Sequence, residues 1–237
     1  VRGLSGDNPK LVKRTQLSNV PNGIGEFKLS PDEKSLMYIS YVKSDVKTAK
    51  DSDPKLDKAD AYVAEDLMYR HWDHWVTELP HTFVAKLGSE ITPDNSIDIL
   101  ANEEKLYELP TEPHGGLEQL DWTPDGKYIA YSCKKKTGKE YAFSTNTEIY
   151  IYNVADGTCT VIPMGGGYDT NPVWSPDGKK IVWLSMARDG YEADKSRLMA
   201  ADFNNGEISN IRDLTADFKY NAAGPVWADD SEHIYFN

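Results

Sequence analysis

The sequence predicts an all-β protein, an incomplete β-propeller of four-stranded antiparallel blades. Three observations carry this. A Pro-Asp turn between apolar strands recurs four times, its regular spacing is near 50 residues, and the strand after the turn is apolar on both faces. The four copies are FKLSPDEKSLMYIS (27–40), LDWTPDGKYIAYSC (120–133), PVWSPDGKKIVWLS (172–185) and PVWADDSEHIYFN (225–237).

The turn has a physical reason to recur. Pro31, Pro124 and Pro176 preset φ, and Asp32, Asp125 and Asp177 can accept hydrogen bonds from nearby backbone N–H groups. Gly126 and Gly178 supply positive φ without steric cost, as in a type I turn closed by a glycine bulge. The first copy has Glu33 in the glycine position and the last has Asp229-Asp230-Ser231, so these two turns are expected to be less ideal. Ser30 and Ser175, each directly before Pro-Asp, read as turn residues rather than nucleophiles.

Spacing supplies the architecture. Pro124 and Pro176 lie 52 positions apart, and Asp229 follows Pro176 by 53. Pro31 and Pro124 are 93 apart, so the first repeat carries an insertion. Strands are expected at Leu117–Thr123, Lys127–Cys133, Glu148–Asn153 and Thr158–Met164, then at Pro172–Ser175, Lys179–Ser185, Arg197–Asp202 and Ile208–Leu214. Asp-Gly in VADGTC and Asn-Gly in NNGE mark the outer hairpins. In KKIVWLS, Ile181, Trp183 and Ser185 point one way and Val182 and Leu184 the other, as expected of a strand covered on both sides. Cys133 and Cys159 fall at opposite ends of the strand between them, too far apart for a disulfide, so two free thiols are expected.

The expected division of 1–237 is the end of a preceding blade at 1–20, an expanded blade at 21–110 with its insertion at 41–79, blades at 111–165 and 166–217, and the start of another at 218–237. About three and a half blades leave the ring incomplete. The open first and last sheets invite pairing with a second copy, a homo-oligomer through blade edges. The chain opens at Val1 on a strand-turn-strand pattern with no leader, which reads as a cut start.

Composition narrows the function classes. The net charge of −12 disfavours nucleic acid, and the Lys134–Lys136 cluster with Lys139 reads as a solvated loop. No apolar run is long enough for a membrane-spanning helix. An 11% aromatic fraction suits half-buried pleated surfaces. No G-x-S-x-G elbow is present, GGGYD at 165–169 lacks the strand–helix context and lysine of a phosphate loop and reads as a crossing between blades, and no Ser/His/Asp set can be argued. No cofactor is implied.

The insertion is the chemically dense segment. Lys43–Asp60 reads as a loop or short exposed helix, and the part after it holds Tyr62, Glu65, Asp66, Tyr69, Arg70, His71, Trp72, Asp73, His74 and Trp75. Three readings stay open. Its aromatics could pack on the blade, or Glu65 and Asp66 could present charge to a cation such as a peptide amino terminus, with aromatic walls. The third reading is a metal held by His71, Asp73 and His74, which needs one helical turn to bring the two histidines together.

The WSPDGK-type repeats resemble those of TolB-type propellers and of the propeller domain of prolyl oligopeptidase family serine peptidases. ADAYVAEDLMYRHWDHW, followed by FVAKL and LDWTPDGKYIAYS, is similar to the expanded blade of the dipeptidyl-peptidase V and acylaminoacyl-peptidase branch, and the likeness covers nearly the whole chain. The resemblance implies a propeller that precedes an α/β-hydrolase domain, covers its active site, admits short peptides and helps grip the substrate's amino terminus. It makes Glu65 and Asp66 the counterparts of an acidic amine-binding pair, with Arg70, Trp72 and Trp75 beside them as substrate-binding candidates. The hydrolase domain is the implied partner and is absent from this chain, so the chain alone is expected to lack peptidase activity. A periplasmic or secreted location is also implied, although two cysteines are compatible with the cytoplasm. The alternative reading is a TolB-like module that binds protein partners without catalysis; a scaffold propeller with no partner enzyme gives the aromatic, charged insertion no role.

Overall fold

The computed structural model describes residues 15–72 and 74–237. It is mostly β, in antiparallel sheets of two to four strands. Strand β1 (Phe27–Leu29) turns into β2 (Ser35–Lys43). The insertion then carries β3 (Lys47–Thr48), helix α1 (Ala49–Ser52), β4 (Tyr62–Val63), β5 (Arg70–His71) and β6 (His74–Trp75). The chain returns as β7 (Glu78–Lys86) and β8 (Ser96–Asp98), completing a first sheet in the order β1-β2-β7-β8. The second sheet is β9 (Leu120–Trp122), β10 (Tyr128–Cys133), β11 (Glu148–Asn153) and β12 (Cys159–Val161), with helix α2 (Gly138–Phe143) between β10 and β11. The third is β13 (Tyr168–Trp174), β14 (Lys180–Met186), β15 (Arg197–Asn204) and β16 (Glu207–Asp213), followed by the pair β17 (Val226–Trp227) and β18 (Ile234–Tyr235).

The recurrent turn is built the same way three times. The hydroxyls of Ser30, Thr123 and Ser175 donate to Asp32, Asp125 and Asp177 at 2.7, 2.8 and 2.6 Å, and each aspartate accepts the backbone N–H two residues on. Each hydroxyl also receives the N–H of the residue that opens the next strand. Gly126 and Gly178 both sit at φ 68°. Glu33 and Ser231 adopt the same left-handed backbone at 55° and 59°, so the two glycine-free copies keep the geometry and carry its strain. In the last copy Ala228 has no hydroxyl, and Asp230 instead accepts the N–H groups of Glu232 and His233.

Successive sheets stack face to face. Met37 and Val84 of the first sheet share a core with Trp122, Ile129 and Tyr131 of the second. Ala130, Ile149 and Ile151 on the second sheet's other face meet Trp174, Ile181 and Trp183 of the third. Val182 and Leu198 then pack on Ala222, Trp227 and Ile234. The alternation expected along β14 is therefore observed, with Ile181 and Trp183 in one core and Val182 and Leu184 in the next. Each fully buried aliphatic side chain contributes about 1.5–3 kcal/mol relative to exposure. Polar links run between the first strands of successive sheets: Asp121 pairs with Lys28 on one side and accepts the Trp174 N–H at 2.9 Å on the other. The Trp227 indole donates to the Val173 carbonyl at 3.1 Å.

Several sequence expectations need adjustment. Strand β9 is shorter than Leu117–Thr123, because Leu117–Gln119 forms a 3-10 turn. Strand β12 covers only Cys159–Val161 of Thr158–Met164. Strand β13 starts at Tyr168, so Tyr168 and Asp169 of GGGYD belong to the sheet and Gly165–Gly167, all at positive φ, make the crossing. Strands β2 and β7 extend into the expected insertion, which narrows from 41–79 to 44–77. Residues 1–14 of the segment assigned to a preceding blade lie outside the described residues, and within its remainder Ser18 makes a single parallel bridge to Ile91. Both cysteines are free. The lysine run is not a solvated loop: Lys134 donates to the Tyr141 carbonyl at 2.7 Å over its ring, and Lys135 lies on the Tyr150 ring and reaches Glu103 at 2.5 Å. Lys134 and Lys135 are half-buried because their ammonium groups lie over the Tyr141 and Tyr150 rings, whereas Lys139 stays exposed.

Candidate functional site

A meander of four strands places its connections alternately at two ends. The Pro-Asp turns close one end. The links β2 to β7, β10 to β11 and β14 to β15, together with the crossovers between sheets, gather at the other. This loop end holds the insertion, helix α2 and the segment 187–196, and two clefts open there. Loops on a stacked sheet scaffold are where binding groups can vary without disturbing the core.

The first cleft, of about 570 Å³, lies between the insertion and the segments 104–108 and 136–141. Val76 and Leu79 line its floor, and Asp45, Asp66, Glu104, Lys105 and Lys136 give it a charged rim. The second, of about 420 Å³, is bounded by Thr111–Gln119, Lys134, Tyr141 and the start of the third sheet, with Glu112, Glu118 and Glu192 around it. Tyr141 lines both.

The wall between them is a buried polar cluster. Glu108 is only 4% exposed. Its Oε1 lies 2.6 Å from His71 Nε2, and its Oε2 accepts the Tyr141 hydroxyl at 2.6 Å and the Glu112 N–H at 3.3 Å. The hydrogen bond to Glu108 holds the His71 imidazole above the usual histidine range, against the opposing effect of burial. Burial, reinforced by Glu108, pushes the Tyr141 hydroxyl far up, so it donates. Burial lowers Lys134 from the usual lysine range.

The residues singled out in the sequence divide between these features. Asp66 opens into the first cleft, its Oδ1 accepting the Leu67 N–H at 2.8 Å and its carboxylate resting on the bare Cα of Gly138. A Cβ at Gly138 would come within 2.2 Å of that carboxylate, which accounts for a glycine at the start of α2. Glu65 is exposed next to it and lines neither cleft. Arg70 is exposed on β5, facing Trp75 across the hairpin. Trp75 packs within the insertion, 5.2 Å from Tyr62 and 5.9 Å from Tyr69. Trp72 is 72% exposed at the hairpin tip, edge-on to His114 at 4.8 Å, beside the second cleft. Of the insertion's rings, Tyr62 and Tyr69 meet Trp75, while Trp72 and His71 meet His114 and Tyr141 outside the insertion.

His71 and His74 face each other as hairpin partners, with ring centroids 5.9 Å apart. A tight hairpin, with Trp72 at φ 34°, does what was expected to need a helical turn. Asp73, the middle member of the metal reading, lies outside the described residues. Among the described residues no group of three or more His, Cys, Asp or Glu could hold a metal ion. Sequence reasoning passed over Glu108, Glu112 and Tyr141; the isolated YELPTEP segment carries no motif, and only the fold brings it against the insertion.

The fold and its loop-end clefts define a module of stacked antiparallel sheets like that of a Pyrococcus horikoshii acylaminoacyl peptidase, matched with a TM-score of 0.54 at 14% identity over 90% of this chain and 28% of that one. No protein-family model matches the chain. Among curated proteins it is 45% identical over 215 residues to dipeptidyl-peptidase 5 of Porphyromonas gingivalis, covering 90% of this chain and 30% of that protein. It is 46% identical over 191 residues to dipeptidyl-peptidase 5 of Porphyromonas endodontalis, covering 80% and 27%. The chain is therefore a homologue of part of the dipeptidyl-peptidase 5 proteins, as its repeats and insertion imply, and it spans under a third of the length of these relatives.

Proposed function

We propose that this chain is the substrate-gating portion of a serine exopeptidase of the prolyl oligopeptidase family, three and a half blades of a propeller that works with a C-terminal α/β-hydrolase domain of the same parent chain. The 45% identity to a dipeptidyl-peptidase 5 over nine-tenths of the chain is the observation that carries the reading. In it the loop end faces the hydrolase domain and short peptides pass the two clefts. Exposed apolar residues on the outer sheets, Phe27 and Leu29 at one end and Val226 and Tyr235 at the other, are where further blades or a second copy pack. Asp66, at the rim of the first cleft with Glu65 beside it, receives the peptide's ammonium group, and Arg70, Trp72 and Trp75 of the same insertion are the further substrate-binding candidates.

The test uses the full-length parent protein and dipeptidyl chromogenic substrates with free or acylated amino termini. A charge-assisted hydrogen bond contributes about 1.5–3 kcal/mol, or roughly 10- to 100-fold in binding. Asp66→Asn is expected to raise KM for the free-amine substrate by about that factor and to leave the acylated one unchanged. Equal effects on both substrates remove Asp66 from amine binding, and a parent protein that hydrolyses neither removes the peptidase reading.

A further inference from the structure

The insertion meets the second sheet through one buried carboxylate. Glu108 belongs to the crossover between the first and second sheets, His71 to the insertion hairpin and Tyr141 to α2, and both bonds to Glu108 are 2.6 Å long. His71 is 9% exposed and Glu108 4%, so water supplies little to either. Among the described residues the junction is also crossed by the edge of Trp72 on His114, the His71 ring beside Tyr141, and Asp66 against Gly138.

A buried carboxylate that keeps its charge needs a compensating cation close by. Lys134 turns away, giving its ammonium to the Tyr141 carbonyl. Tyr141 donates a neutral hydroxyl. Among the described residues, the charged groups acting on His71 are Glu108 and Glu112 from the crossover and Lys134 from the second sheet, and it also faces Tyr141 on α2 and His74 on its own hairpin. The two carboxylates favour an imidazolium, while Lys134 and burial oppose it. Of the groups around Glu108, His71 is the one that can match its charge at contact distance and can also lose that charge near neutral pH.

We propose that His71 is a proton-operated latch: as an imidazolium on Glu108 it holds the insertion against helix α2 and keeps the wall between the two clefts closed, and on losing its proton it lets the insertion lift. Closure is complete below the histidine value of an open insertion, and is lost as pH rises through the higher value of the closed one. The opening equilibrium then grows about tenfold for every unit by which the closed value exceeds the open one. The latch concerns contacts within this chain and does not depend on the peptidase reading.

The experiment is run on this chain. Long-range ¹H–¹⁵N spectra follow the His71 imidazole through pH, and hydrogen exchange, corrected for its intrinsic pH dependence, follows residues 62–77. For the wild type, protection of 62–77 is expected to fall as His71 deprotonates, by the factor its titration predicts, while protection of 180–186 in the third sheet stays constant. His71→Gln and Glu108→Gln keep a hydrogen-bonding side chain but remove the charge, and both should give a loosely protected insertion whose exchange no longer responds to pH. The 180–186 readout separates a lifted insertion from an unfolded chain, and a chemically unfolded variant is replaced by Tyr141→Phe, which keeps the ion pair and should retain the wild-type pH response. The latch is overturned if His71 titrates at or below the free histidine value, if protection of 62–77 does not change through its titration, or if His71→Gln follows the wild type.

Discussion

Asp169 should make the protein more stable in mild acid than its other acidic residues would. It sits on β13, 0% exposed between the second and third sheets. The Trp183 indole donates to its Oδ1 at 3.3 Å, and among the described residues nothing donates to Oδ2. Burial pushes its carboxyl from the usual 3.8 up to about 6, with Ser185, Trp183 and Arg197 offsetting part of the effect. Because the folded value is the higher one, the folded state binds more protons between the two values, and stability falls as pH rises through that window. At pH 7 the ionised group costs about 3 kcal/mol, and lowering the pH to 5 returns about 1 kcal/mol of it. Asp169→Asn has no such term. Urea unfolding of both proteins at pH 7, 6 and 5 should therefore show the wild type gaining about 1 kcal/mol on the variant as pH falls. The comparison within each pH cancels the other carboxylates. Parallel pH profiles, or a gain by the variant, would refute the assignment of a protonatable buried carboxyl here.

Two smaller perturbations test other parts of the fold. Glu33 holds a left-handed backbone at φ 55° in a turn where the second and third copies use glycine, so Glu33→Gly should stabilise the chain by about 0.5–1 kcal/mol in chemical denaturation, and a loss would mean the side chain contributes more than the strain costs. Cys133 is buried and its thiol is pushed up to about 12, whereas Cys159 is exposed, so a disulfide reagent at pH 8 should titrate one thiol in the folded chain and two in urea; two rapid equivalents without denaturant would contradict the placement of β10.

The repeated architecture was legible because its determinants are local. Ser or Thr, Pro, Asp and Gly within four positions satisfy one another's hydrogen bonds before any distant contact forms, and the 52-residue interval then places strands such as Glu148–Asn153 to the residue. The stacking of sheets was legible for a related reason. A strand such as Lys180–Met186 with buried side chains on both faces has no stable place except between two others. Strand ends were less readable. Whether Leu117–Gln119 continues β9 or turns depends on Glu26, whose carboxylate accepts the Leu117 N–H from 91 positions away.

The loop end was legible only in outline, for a physical reason that bears on what it does. Aromatic and charged density set the insertion apart in the sequence, yet its shape rests on contacts that leave no local pattern. The hairpin pairing His71 with His74 has no Asn-Gly or Asp-Gly between them in the sequence. Support reaches it from distant parts of the chain, among them Glu108, 37 positions on, with Tyr141 a further 33 on. The insertion also has buried Val76 and Ala49 and its own Thr48–Asp51 cap, and the proposed latch adds to these one contact whose charge can change. The element that sequence reading placed least well is thus the one to which the proposed latch gives a protonation-dependent position, beside sheets that are specified locally and buried on both faces.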